Sequence, residues 1–291
     1  MRKALMGAAV VASLAIVGTP AALATPTGGY AVFAQCPTQA AGVDGCVYSP
    51  TESGEITIGK QTVPIVNTQV LQGGLLEEVE PFVKQLAPAL NGETLTKTVQ
   101  RVPGGLLGVK CYEIKGEGYW EKELRKACEK VFEEGFLGVT AVTELAAPAS
   151  SVVFNTAAEQ LGEGTALTLP IKVKLENALF GSKCYIGSNS DPIMLNLTTG
   201  TTSPPSPNTP ISGNPGTKST KEKGGIAVLS GVKLVDNSFS AAGATGCGLF
   251  GLLDGLINSK LGIPSAAGNN TAILNGKVEL ANSELVEESE E

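Results

Sequence analysis

Histidine is absent from all 291 residues. That excludes Ser-His-Asp and Cys-His nucleophilic relays, and with them every metal centre built on imidazole. Aspartate is scarce: Asp44, Asp191, Asp236 and Asp254 are the whole set, and three of them precede Gly or Pro in turn-forming pairs. One tryptophan and five tyrosines leave a thin supply of aromatic faces for stacking sugar rings. Clustered basic residues are missing and the formal charge is −7, which argues against nucleic acid and against anionic membrane surfaces as electrostatic partners. No Cys-x-x-Cys pair occurs, so structural zinc has no ligand set. Past the N-terminus, no run is apolar enough to cross a bilayer as a helix.

What is present starts with export. Arg2 and Lys3 form a positive head, residues 4–17 are apolar, and Pro20 breaks any helix. Ala22-Leu23-Ala24 then places small residues where a signal peptidase reads them. Residues 1–24 therefore read as a secretory signal, and 25–291 as the mature, extracellular chain. Losing Arg2 and Lys3 makes the remainder more acidic still, and solubility is the ordinary use of such charge.

Six cysteines follow: Cys36, Cys46, Cys111, Cys128, Cys184 and Cys247. An even count in an exported chain reads as a disulfide framework. Six cysteines allow 15 pairings, so the sequence leaves the connectivity open. Proximity suggests Cys36–Cys46, Cys111–Cys128 and Cys184–Cys247.

Patterning predicts strands at residues 30–33, 62–66, 94–102, 139–143, 151–154, 169–175, 192–198, 226–229 and 232–235. The clearest is 169–175, where Ile171, Val173 and Leu175 alternate with Lys172 and Lys174. Helical spacing appears three times. It links Leu75, Leu76, Val79, Phe82, Val83 and Leu86, runs from about Trp120 to Glu134, and recurs from Leu249 to Ile257. In the second, Leu124, Ala127, Cys128, Val131 and Phe132 share a stripe expected to face a core. Asn275-Gly276 between two strand-like runs predicts a β-hairpin with a type I′ turn. Residues 199–225 are rich in Pro, Thr and Ser and read as a linker between two domains or a long loop inside one, a pairing of Cys184 with Cys247 favouring the loop. The acidic tail at 286–291 reads as disordered. Many short strands with two or three short helices point to an antiparallel β-sandwich or barrel, stapled by disulfides.

Two motif matches fail on context. Gly246-Cys247-Gly248-Leu249-Phe250-Gly251 fits a dinucleotide fingerprint, but a Ser/Ala/Gly loop precedes it and a disulfide cysteine sits inside it. Ser230-Gly231-Val232-Lys233 fits a Ser-x-x-Lys nucleophile motif without the helix or companion elements that chemistry needs. No catalytic, cofactor-binding or metal-ligating set is expected.

Several stretches resemble a group of uncharacterised secreted proteins from actinobacteria. They are Val102-Pro103-Gly104-Gly105-Leu106-Leu107-Gly108, Thr143-Glu144-Leu145-Ala146 with Pro148, and Leu175-Glu176-Asn177. Cys184-Tyr185-Ile186-Gly187-Ser188 belongs with them, as do the residues 198–205. Leu234-Val235-Asp236-Asn237, Gly246-Cys247-Gly248 and the residues 261–268 complete the pattern. The resemblance carries no activity. It implies that both flanks of the Pro-rich stretch belong to one unit, hence a single domain over 25–291.

The expectation is a secreted or envelope-associated protein with a structural or binding role and an unknown partner. The rivals are an extracellular hydrolase using paired carboxylates, and a surface component that self-associates through exposed sheet edges.

Overall fold

The computed structural model describes residues 25–76 and 80–291. The export signal expected at 1–24 lies outside the described residues, as do 77–79. Fourteen strands are described. The first seven are β1 (Val43–Ile58), β2 (Gln61–Pro64), β3 (Gln69–Leu76), β4 (Val83–Ala87), β5 (Val99–Arg101), β6 (Thr140–Leu145) and β7 (Val153–Asn155). The rest are β8 (Leu167–Glu176), β9 (Tyr185–Ile186), β10 (Ile193–Leu197), β11 (Thr217–Lys221), β12 (Ile226–Asp236), β13 (Ala244–Thr245) and β14 (Thr271–Asn282). Four α-helices are α1 (Tyr119–Phe132), α2 (Thr156–Leu161), α3 (Asp254–Leu261) and α4 (Ser283–Glu288).

Ten strands form one antiparallel path, β11-β12-β14-β1-β3-β4-β7-β8-β6-β5. Outside it, β2 pairs with β1, β10 and β9 pair with β8, and β13 pairs with β9. The path doubles back where β3 meets β4, so that Ile56 and Ile58 of β1 share an interior with Val173 and Leu175 of β8. The result is a β-sandwich that stops short of a barrel. At the open side, β2 and β5 approach without pairing. The buried Gln100 carboxamide fills that gap: its Oε1 accepts from the Val66 and Asn67 amides at 3.0 and 3.1 Å, and its Nε2 donates to the Asn67 carbonyl.

The three disulfides are Cys36–Cys46, Cys111–Cys128 and Cys184–Cys247. The residues 199–225 are fastened rather than loose. The Asn208 side chain donates to the carbonyls of Asn237 and Asn270, and β11 pairs along β12. Strands from before and after this stretch lie in the same sheet path.

Five local expectations are overturned. The helical spacing at 75–86 belongs to β3 and β4, and Glu77, Glu78 and Val79 of that stretch are outside the described residues. Strand pairing satisfies the backbone there, overriding a periodicity that Pro81 would have broken in any helix. Residues Gly28–Phe33 form a 3₁₀ turn instead of a strand, with Phe33 buried. The predicted strand at 94–102 shrinks to β5.

The Asn275-Gly276 hairpin does not form: both residues sit inside the continuous β14. Each neighbour bulges opposite them, β1 between Thr51 and Ser53 and β12 between Ser230 and Val232. A Cβ on Gly276 would fall 1.9 Å from the Pro50 carbonyl oxygen, so the glycine serves close strand approach and not a turn.

The acidic tail, finally, is ordered as α4. Val286 is fully buried beside Phe33 in a small second apolar cluster, and Glu290 bridges to Pro26. One buried valine and the Asn282 cap, which accepts from the Glu284 amide at 2.7 Å, outweigh the repulsion of the surrounding carboxylates.

Candidate ligand cavity

The sandwich is filled at one end and hollow at the other. At the hollow end the walls mix short inward side chains, Val63, Val102, Val139, Ala141 and Val173, with longer ones such as Ile56, Ile58, Leu175 and Phe180. Layers held apart by larger residues elsewhere then leave a cavity of about 310 Å³ between them. That lies at the small end of the range that binds organic ligands. Helix α3 closes the end, with Ile257 buried against the core and Leu256 at the opening.

The lining is apolar with few exceptions. Gln100 spends its carboxamide on the Val66–Asn67 backbone. The Gln69 Nε2 donates to the carbonyls of Thr96 and Thr143, and the Gln61 Nε2 to those of Thr62 and Pro103. The side-chain amide donors of the walls are therefore already engaged. Lys260, in the last turn of α3, is the only charged residue of the lining among the described residues. Its ammonium donates to the Leu106 carbonyl, and burial lowers its pKa from the ordinary lysine value.

The opening is rimmed by exposed apolar side chains, Leu107 and Leu256. Beside it the segment before α3 exposes Leu249, Leu252 and Phe250, the last 94 % exposed in a left-handed backbone conformation. The Cys184–Cys247 bridge ties this segment to the strand start at β9. Asp254 holds it from the other side, accepting from the amides of Gly246 and Cys247 at 3.2 and 2.7 Å. Those amides are the ones a phosphate would need in the Gly-rich motif, so that motif serves the turn.

The other sequence candidates are scattered. Asp44 pairs with Lys84, and Asp236 accepts from the amides of Asn196 and Ser238 and from the Ser238 hydroxyl. Asp191 sits in the 188–191 turn, and none of the four aspartates lines the cavity. Ser230 lies at the β12 bulge. Glu133, Glu134 and Glu176 line a shallow surface hollow, but each is held. Glu133 accepts from the Gly104 amide, Glu134 pairs with Arg101, and Glu176 pairs with Lys174 at 2.6 Å.

Two further carboxylates are buried outside the cavity, in contrasting ways. Glu279 on β14 is clamped by Lys277 and Lys221. Burial pushes its carboxyl up, and the hydrogen bonds from both lysines more than offset this, leaving its pKa lowered. Glu159 on α2 is 1 % exposed, and neither carboxyl oxygen has a hydrogen-bond partner among the described residues. Burial pushes it up to about 7.

Two surfaces bear on association. Helix α1 is anchored by the Cys111–Cys128 bridge and by Arg125, whose guanidinium donates to the Ile114 carbonyl at 2.8 Å. Its apolar stripe faces outward, with Leu124 and Val131 exposed, so the expected core contact is absent. Charge and length formed the helix, and nothing in its periodicity specified which neighbour would cover it. The edge strand β11 is exposed throughout and carries Lys218 and Lys221, a pattern that discourages edge-to-edge pairing.

The cavity left no trace in the motif search, because a hollow walled by aliphatic side chains from separate elements has no spacing signature. The available clue was negative: β6 and its lead-in offer only Val139, Ala141 and Thr143 to the interior, with no long side chain among them. Comparison with protein-family models, with curated proteins and with solved structures finds no match to this chain.

Proposed function

We propose that this chain is an exported binding protein that holds an apolar, chain-like small molecule between its two layers. The observation that carries the reading is the cavity, walled almost wholly by apolar side chains, with its glutamines already hydrogen-bonded to the backbone. A site of that kind gains from burying apolar surface and offers no poised acid, base or nucleophile. The three disulfides support an oxidising compartment, as does the signal pattern at 1–24. Among the described residues no helix is long and apolar enough to cross a membrane. Retention at the cell envelope fits a protein that collects or delivers such a molecule there.

The test is titration of the disulfide-bonded chain with a neutral fluorescent apolar probe, N-phenyl-1-naphthylamine, in the wild type and in Ala141→Phe. Saturable one-to-one binding by the wild type is expected, and its loss in a variant that still melts cooperatively. Overpacking a filled core costs about 1–3 kcal/mol, and a phenyl ring entering open space costs less. Equal probe binding by both proteins would place the probe elsewhere and overturn the reading.

A further inference from the structure

The cavity is asymmetric in polarity, and the asymmetry specifies more than an apolar occupant. We infer that it takes a single-chain amphiphile with an anionic head, a carboxylate or a phosphate, the chain lying between the layers and the head resting on Lys260. This rests on the cavity being a binding site, and adds to it the chemistry of the head and the direction of insertion.

Lys260 lies where such a head would meet both protein and water. Its side chain lines the cavity while the residue is exposed at the opening. Among the described residues no carboxylate comes within ion-pair distance of it, although nine other basic residues form such pairs. Its one hydrogen-bond acceptor is the neutral Leu106 carbonyl. An ammonium has three donors, so two remain for a ligand. Gly108 makes room for it: a Cβ there would stand 3.0 Å from the Lys260 Cε and 3.4 Å from its Nζ. Burial already disfavours the charged form, a cost that an anion at the opening would relieve.

The glutamines of the lining argue for the same orientation. The Nε2 donors of Gln61, Gln69 and Gln100 are consumed by backbone carbonyls. An anion driven inward would meet no second cation, since Lys260 is the only charged residue of the lining among the described residues. An alkyl chain makes no such demand. Head at Lys260 and chain inward is the arrangement that leaves no charge unpaired.

A lysine in the last turn of a helix also complements the helix dipole, and that role predicts nothing about ligands. The experiment therefore varies the head at constant chain length. Hexadecanoate, hexadecyl phosphate, hexadecanol and hexadecyltrimethylammonium are titrated calorimetrically below their aggregation limits into the disulfide-bonded protein, wild type, Lys260→Met and Lys260→Arg. A charge-assisted hydrogen bond is expected to make both anions bind about tenfold tighter than the alcohol in the wild type, with the cation weakest. Lys260→Met should abolish that preference while leaving alcohol binding in place, and Lys260→Arg should restore it.

Equal affinity for acid and alcohol in the wild type would overturn the head assignment while the cavity reading stands. So would an anion preference that survives in Lys260→Met. Failure of all four to bind would overturn both. Should Lys260→Met not fold, the wild-type head series and Lys260→Arg still decide the matter.

Discussion

Strand β8 runs through two different interiors. In its first half Leu167, Leu169 and Ile171 enter a filled core, and β10 runs beside them, pairing Ile193 with Ile171 through to Leu197 with Leu167. In its second half the alternation continues without a break, yet Val173 and Leu175 point into the cavity. The flanking strand has changed from β10 to the two-residue β9. The inward side chains opposite have shortened to Val139 and Ala141. The same period-two pattern thus builds solid core or empty volume according to the neighbours it meets, and covalent ties such as Cys184–Cys247 fasten the segments beside the hollow half.

The largest effect expected is on those ties. Removing the Cys184–Cys247 bridge by Cys184→Ser with Cys247→Ser frees a 63-residue separation, against 10 for Cys36–Cys46. In the loop-entropy model the losses are about 4 and about 3 kcal/mol. Denaturant midpoints of the two double variants would measure them, and equal losses would mean that the hollow half does not depend on its staple.

Next comes packing. Ile171→Ala opens a new void in the filled half and should cost about 3–4 kcal/mol, within the range for such truncations. Leu175→Ala only enlarges a space that exists and should cost about 2 kcal/mol. If urea unfolding gave the reverse order, the contrast between the halves would be wrong.

The third concerns a flaw beside the filled half. The folded chain holds the Glu159 proton more tightly than the unfolded chain, because its carboxyl rises from 4.5 to about 7 on folding. Its contribution is therefore full below pH 4.5 and is lost as pH rises toward about 7. That loss amounts to roughly 3 kcal/mol. Glu279 works in the opposite sense, since its lowered pKa makes its share disappear only as pH falls below the ordinary carboxylate range. Unfolding free energies of wild type and Glu159→Gln across the interval should diverge, the variant losing the slope. Parallel curves would show that Glu159 has a partner or water access that its burial hides.

What was legible was local, and it was legible in both halves. Ile171, Val173 and Leu175 announced a strand by alternation alone, and short sequence separations paired the cysteines correctly. Local signals failed where a neighbour outvoted them. Asn275-Gly276 has strong turn chemistry, but the bulges of β1 and β12 are long-range features that no window around it contains. The stripe on α1 was real as a pattern and wrong as a core contact, because amphipathicity names a face without naming its cover. The cavity was illegible for a deeper reason. It is defined by side chains from β1, β2, β6, β8 and α3 that are each unremarkable alone and form a wall only together.

One topological detail governs when the molecule can exist at all. Strand β1 lies between β3, which follows it directly, and β14, the last strand, with Val47 opposite Leu280 and Glu55 opposite Ile273. A growing chain therefore carries one long unpaired edge from its first strand until its final segment is available, and such late, distant pairing is slow. Completion of the sheet thus waits on β14, and a chain released without it would keep β1 as an exposed edge open to pairing with another copy.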